Sequence, residues 1–324
     1  MRRIIYIILT LFFVFIWFKL VDLSRVADAI INVKWLFIIL ATVLALINSF
    51  LGALRLKTLL SVISDIPLSY IWGLGYITSL ISLLFPFYLG GLSFSYFIAK
   101  KTKSSYAKAF SLIFIDFFIG VFITFSLAAF AIFYFSKKKL LAISPDAFSN
   151  LTFAFVFALA LVVIGAVFLK PKLKLFDILL ARIKRAPSLF KRNIVLKVVI
   201  LTAIMFVLGT SASYLNFLAF NMRPPIIDFL LASSLFGILS MIPGAPTKIG
   251  QYETFGILTL PHLLNLDKNS VFAMLLVTHV ISITSSLALG FLSFYFLKFD
   301  LEVYRILSKV KSSFLTSFLF RGRS

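Results

Sequence analysis

Apolar residues run along this chain in blocks far longer than a water-facing helix or strand requires. Six stretches, 4–20, 35–54, 109–135, 150–169, 197–220 and 271–297, reach the roughly 20 largely apolar residues with which a helix crosses a bilayer. Two others, 68–99 and 226–264, fit less well, the first being too long for one crossing and too short for two crossings joined by a turn. Each is broken near its middle, the first at Phe85-Pro86-Phe87-Tyr88-Leu89-Gly90-Gly91 and the second at Ile242 to Gly250, where two prolines and two glycines cannot all continue a helix. The pattern predicts two hairpins of half-helices among six full spans.

The charges test that layout, because a wrong number of crossings moves every later loop to the other side. With the N-terminus inside and each broken stretch returning to the side it came from, 23 of the 32 Lys and Arg residues fall on the cytoplasmic side and eight outside. This is the bias that positive-inside topology demands. The run Lys137 to Lys139 is the main exception, and Lys248 alone falls inside a hairpin. If 68–99 crossed once, the basic segments 100–108 and 170–197 would lie on opposite sides. The hairpin layout also sorts the prolines: Pro86, Pro243, Pro246 and Pro261 fall in the two broken stretches and the other six in loops.

The order is then span, span, hairpin, span over 4–135, repeated over 150–297 from the opposite side. This is the hydropathy signature of an inverted-topology repeat, which places broken helices near the bilayer midplane around a substrate site. The expected fold is all-α and polytopic, one transmembrane domain over 1–300, in the cytoplasmic membrane of a prokaryote with both termini cytoplasmic. Segments 173–185, within a basic linker at 170–196, and 301–320, within the tail 301–324, carry apolar residues at helical spacing opposite basic ones and are expected to lie on the anionic inner leaflet. The first span has no small-residue cleavage site after it and is expected to be a retained anchor.

Composition agrees with a membrane chain. The sequence is 61% hydrophobic and 13% charged, whereas a soluble domain carries about 25% charged residues. The net charge of +21 would suggest nucleic acid, but its segregation to one face makes it a topology signal. With no Cys and two histidines seventeen positions apart, no metal ligand set or cofactor motif is visible, and no catalytic elbow or phosphate loop occurs. No enzyme activity is expected.

Candidate chemistry gathers where polar backbone meets hydrocarbon, since a break at membrane depth is tolerated where it lines a cavity or packs in protein. In 243–253 the elements are Pro243, Gly244, Pro246, Lys248, Gly250 and Glu253. Gly250 and Gln251 open the second half-helix, so its free N–H groups and positive dipole end, with Lys248, suit a phosphate. Glu253 reads either as a functional carboxylate or as a helix-start acid paired with Lys248. Asp116 lies eight residues past Lys108, about 12 Å along its helix. It faces the cavity, pairing with Lys248 or Arg55, or makes a structural bond between helices. Asp228 reads as ordinary helix-start chemistry, and His279 as part of a packing face with Ser282, Ser286 and Gly290.

The stretch Pro243, Gly244, Pro246, Gly250 and Glu253, followed by Leu263 to Leu266 and a last helix rich in small polar residues, resembles the lysylphosphatidylglycerol synthase transmembrane (flippase-like domain) family. Trp35 opening a span that reaches Arg55, and Phe85-Pro86 with Gly90 before Lys100-Lys101-Thr102, fit the same resemblance, which covers about residues 30–297. The chain departs from the family pattern at Tyr88 and Gly91, where the family has Arg and Glu, and in the helix of Asp116, where one acid remains of the family's charged motif. These changes remove charge from one half of the expected cavity, and Lys248 adds it to the other.

The resemblance implies a membrane domain that moves an aminoacylated or related phospholipid across the bilayer, without the soluble domain that makes such lipids in bifunctional relatives. The expected function is therefore flipping or scrambling of an anionic or aminoacylated lipid. Lys248 and Gly250 would lie at the phosphate, and Glu253, Asp116, Arg55 and Tyr88 around the head group. Partners would be membrane lipids and a separate lipid synthase or glycosyltransferase. The alternative is an accessory or lipid-modifying protein acting on a polyprenyl-phosphate or glycolipid intermediate, and a third reading is a structural membrane subunit.

Overall fold

The structure is a computed structural model that describes residues 12–84, 89–138, 140, 191–242 and 246–297. Those residues fold into helices with no strand among them: α1 (12–20), α2 (Leu23–Ile31), α3 (Trp35–Leu60), α4 (Leu68–Leu84), α5 (Leu89–Thr102), α6 (Tyr106–Lys137), α7 (Arg192–Ala219), α8 (Ile226–Met241), a 3₁₀ turn at Pro246–Lys248, α9 (Gln251–Leu264) and α10 (Lys268–Phe296). Four of them, α3, α6, α7 and α10, are long and apolar enough to cross a membrane. Most of their surface is apolar and uncovered by protein, as lipid-facing helices require. The expected span 150–169, the basic segments 173–185 and 301–320, and Tyr88, Pro243 and Gly244 lie outside the described residues.

The long helices follow the apolar blocks and mostly run beyond them, as α3 does to Leu60 and α7 does back to Arg192. The broken stretch 68–99 becomes α4 and α5, and 226–264 becomes α8 and α9. Asn221 and Asn265 close α7 and α9 with φ of 58° and 51°, left-handed values that asparagine tolerates better than most residues. Asp267 opens α10 by accepting the amide of Ser270 at 2.8 Å. One element was not expected: 21–34 reads as an external loop, yet 23–31 is helical. Asp22 caps it by accepting the amides of Ser24 and Arg25, and Val26 buries itself against the neighbouring core.

Packing is reciprocal between the two halves of the chain. The first arm of each hairpin lies against the last long helix of the other half, α4 on α10 and α8 on α6. Both pairs run antiparallel. Gly73 approaches Ser293 and Leu297 while Gly290 approaches Tyr76 and Leu80, and Gly237 approaches Thr124 while Asp228 meets Tyr134. Between them α3 and α7 run antiparallel along their length, from Lys34 N–H on the Ala219 carbonyl (3.0 Å) to Arg55 beside Thr202.

Close approach needs small residues, and glycine supplies it at Gly90. A Cβ there would stand 2.0 Å from Ser82 Oγ and 2.3 Å from the Thr78 carbonyl, so α5 can cross α4 at this depth only without a side chain. One apolar core surrounds the second hairpin and the starts of α3 and α10. A second surrounds the first hairpin and the end of α3.

Candidate functional site

Two buried polar clusters interrupt this apolar framework. The first joins three long helices. Arg55 of α3, 7% exposed, places Nε 2.8 Å from Asp116 Oδ1 and Nη2 3.2 Å from Oδ2, with Nη2 also 3.3 Å from the Asp116 carbonyl. Its Nη1 donates to Thr202 Oγ1 of α7 at 3.3 Å. The guanidinium fork matches a carboxylate with two parallel bonds, so the pair is directional as well as charged. Asp116 lies ten residues past the start of α6, about 15 Å along it, with its side chain 19% exposed.

The second cluster is the apex of the α8–α9 hairpin. Thr247, Lys248 and Gly250 all have positive φ (61°, 56° and 89°), a turn that two residues with side chains adopt against their preference. Neighbours hold it. Trp17 Nε1 donates to the Gly250 carbonyl (3.3 Å) and to Thr254 Oγ1 (3.2 Å), Gln251 Nε2 donates to the Ile242 carbonyl (2.9 Å), and Lys248 Nζ donates to the Ser240 carbonyl. Within the hairpin, Phe236 and Tyr252 pack their rings 4.9 Å apart. The turn 246–248 itself packs on α4, so the two hairpins meet there.

Glu253 organises this apex. It is 1% exposed, and its Oε2 accepts the Gly250 amide at 2.9 Å, returning the helix-start carboxylate to the first free N–H. Its Oε1 lies 2.6 Å from His279 Nδ1 of α10, and His279 Nε2 lies 2.9 Å from the Thr247 carbonyl. The imidazole thus ties hairpin, apex and α10 together, with Tyr252 4.8 Å away over the ring.

Of the residues singled out from sequence, Arg55 and Asp116 meet each other. Lys248, Gly250 and Glu253 share the apex with the backbone of Pro246. The expected alternative of a Lys248–Glu253 pair is not what forms: the carboxylate takes His279, and the lysine takes a carbonyl of its own hairpin. The phosphate reading of the half-helix start meets an occupied donor, since Glu253 already holds the Gly250 amide. Asp228, read as helix-start chemistry, pairs with Lys138 at 2.9 Å and accepts from the Tyr134 hydroxyl at 2.7 Å, which gives one lysine of the run 137–139 a partner. Thr202 and Trp17 were missed, and His279, read as part of a packing face, is instead the partner of Glu253. For His279 the available signal was a second ionisable group deep in an apolar helix, which needs a partner as Glu253 does.

Comparison with curated proteins and with solved structures gave no match. The model of the family described as lysylphosphatidylglycerol synthase TM region matches residues 3–290. With its long apolar helices, the chain is a multi-pass membrane protein, and it belongs to the lysylphosphatidylglycerol synthase TM region family.

Proposed function

We propose that this protein translocates a phospholipid, or a lipid with a related anionic or aminoacylated head group, across the cytoplasmic membrane of a prokaryote. The observation that carries the reading is the Arg55–Asp116 pair, a full ion pair built across α3 and α6 with Thr202 of α7 beside it. Charged groups at such depth cost several kcal/mol unless paired, and they mark substrate pathways in membrane proteins. A lipid phosphate offers Arg55 the same bidentate geometry as the Asp116 carboxylate, so it can replace that partner. Asp116 is then free to receive an ammonium group. The acyl tails would stay in lipid beside the exposed aromatic face of α6, where Phe114, Phe118 and Phe122 follow at spacing four.

In this reading α4–α5 and α8–α9 are re-entrant hairpins of an inverted-topology pair, inserted from opposite sides. The reciprocal packing of α4 on α10 and α8 on α6 supports it. Lys101 of α5 beside Tyr70 of α4, and Asp228 of α8 with His262 of α9 around 138–140, support each hairpin returning to its own side. Both termini would be cytoplasmic. The protein is read as a transporter that forms no covalent bond with its lipid, supplied by a separate synthase or glycosyltransferase.

The test is reconstitution of the full chain in vesicles with a head-group-labelled phospholipid. Label appearing in the opposite leaflet faster than in empty vesicles supports translocation. Covalent conversion of the lipid would favour the lipid-modifying alternative, and neither movement nor conversion would overturn both.

A further inference from the structure

The hydrogen-bond partners of His279 fix a proton count. A carbonyl oxygen accepts only, so Nε2, 2.9 Å from the Thr247 carbonyl, carries hydrogen. Nδ1 lies 2.6 Å from Glu253 Oε1, and a contact this short between a ring nitrogen and a carboxyl oxygen needs one more hydrogen between them. That hydrogen belongs either to an imidazolium facing a carboxylate or to a carboxylic acid facing a neutral ring. In both forms the pair is electrically neutral overall and holds one proton more than a neutral histidine beside an ionised glutamate.

We propose that His279 and Glu253 form an intramembrane proton-binding site whose occupancy holds the apex of the α8–α9 hairpin closed. Loss of the proton to water leaves one hydrogen on the ring and a net charge of −1 on the pair. A single ring hydrogen cannot serve both acceptors. The charge-assisted bond to Glu253 is the stronger, so the bond to the Thr247 carbonyl breaks. Thr247 sits in a left-handed conformation within the turn that packs on α4, so its release loosens the contact between the two hairpins.

The surroundings isolate this site. Lys248 is the nearby apex charge, and its ammonium is turned to Ser240 on α8. Tyr252 lies over the ring and Trp17 of α1 reaches the apex as a neutral donor. On the helices packed against α9 and α10, the other charges are Asp228 on α8, Arg25 and Asp28 on α2, and Arg192 with Lys197 on α7, while the titratable residues of α4 are tyrosines. Use of the site in coupling proton movement to transport rests on the proposed lipid translocation, whereas the proton site itself does not.

The chain has two histidines, so His262→Gln leaves His279 as the one imidazole to observe by nitrogen NMR in the full protein in vesicles. Followed across pH, the His279 nitrogens should show one transition that Glu253→Gln moves or abolishes. A second readout uses the absence of cysteine. A single cysteine at Ile249, which is 40% exposed, should react with a thiol probe about tenfold faster above that transition than below it, relative to a cysteine at Ser61. In Glu253→Gln, whose neutral amide keeps both ring contacts, the relative rate should stay low at every pH. A transition unchanged by Glu253→Gln, or apex labelling that does not follow it, overturns the proposal. Titration without lipid movement would refute translocation and leave the proton site standing, and pH-independent lipid movement without titration would do the reverse.

Discussion

Lys101, near the end of α5, holds its ammonium group 5.1 Å from the centre of the ring of Tyr70, near the start of α4. A cation over an aromatic face contributes about 0.5–1 kcal/mol at an exposed site, so the contact does little to hold the fold. Its value is geometric, because the start of α4 and the end of α5 reach the same level. Single cysteines at Ser61, Arg223 and Lys268, all exposed, should then show Ser61 on one face of the membrane and Arg223 with Lys268 on the other. Labelling by an impermeant thiol reagent from each side checks this, and Ser61 appearing with Lys268 would remove the re-entrant layout.

Gly90 and Gly91 provide an internally controlled test of the hairpin crossing. Gly90→Ala should lower stability by about 1–3 kcal/mol, since the added methyl meets the Thr78 carbonyl, which cannot rotate away. Gly91→Ala meets nothing within 4 Å and should be neutral or slightly stabilising, alanine being the better helix former. Thermal unfolding in detergent or vesicles reads the difference.

The apex depends on the anchor from α1. Trp17→Phe keeps the ring that packs 5.1 Å from Phe272 but removes the indole donor to Gly250 and Thr254. A loss of about 0.5–1.5 kcal/mol per hydrogen bond is expected. Proteolysis or hydrogen exchange around 246–250 should increase, with α6 and α7 unaffected.

At the other end of α6 the contribution is smaller. Hydrogen bonds to Asp228, and then to Tyr134, push the Lys138 ammonium above the ordinary lysine pKa. The raised value means that the pair's contribution is complete below the ordinary lysine value and fades as pH climbs through the raised one, so it is flat across neutral pH. Asp228→Asn should shift the unfolding midpoint only slightly at neutral pH, and the shift should shrink with added salt.

Much of the helical layout was legible because a bilayer leaves backbone few options. The stretch read as 109–135 became Tyr106–Lys137, and the two broken stretches became pairs of shorter helices. Helix α2 was not legible, since its stability comes from the Asp22 cap and from Val26 meeting a core formed by distant segments. At the site, sequence gave depth but not direction. It placed Asp116, Glu253 and His279 at membrane depth and Arg55 at the cytoplasmic end of its span, but hydropathy says nothing about which way a residue faces around its helix axis. Pairing Asp116 with one of its two candidate partners, and Glu253 with His279 twenty-six positions away, required the helices to be set side by side.

If lipid passes by exchanging partners with Arg55 and Asp116, removing the pair without unfolding the protein should stop its movement. Arg55→Met alone strands a buried carboxylate and should cost about 3–5 kcal/mol, whereas Arg55→Met with Asp116→Leu should recover most of that stability. In vesicles carrying a head-group-labelled phospholipid, the folded double variant should move label no faster than empty vesicles while the native chain moves it readily. Native-like movement by the double variant would contradict the account.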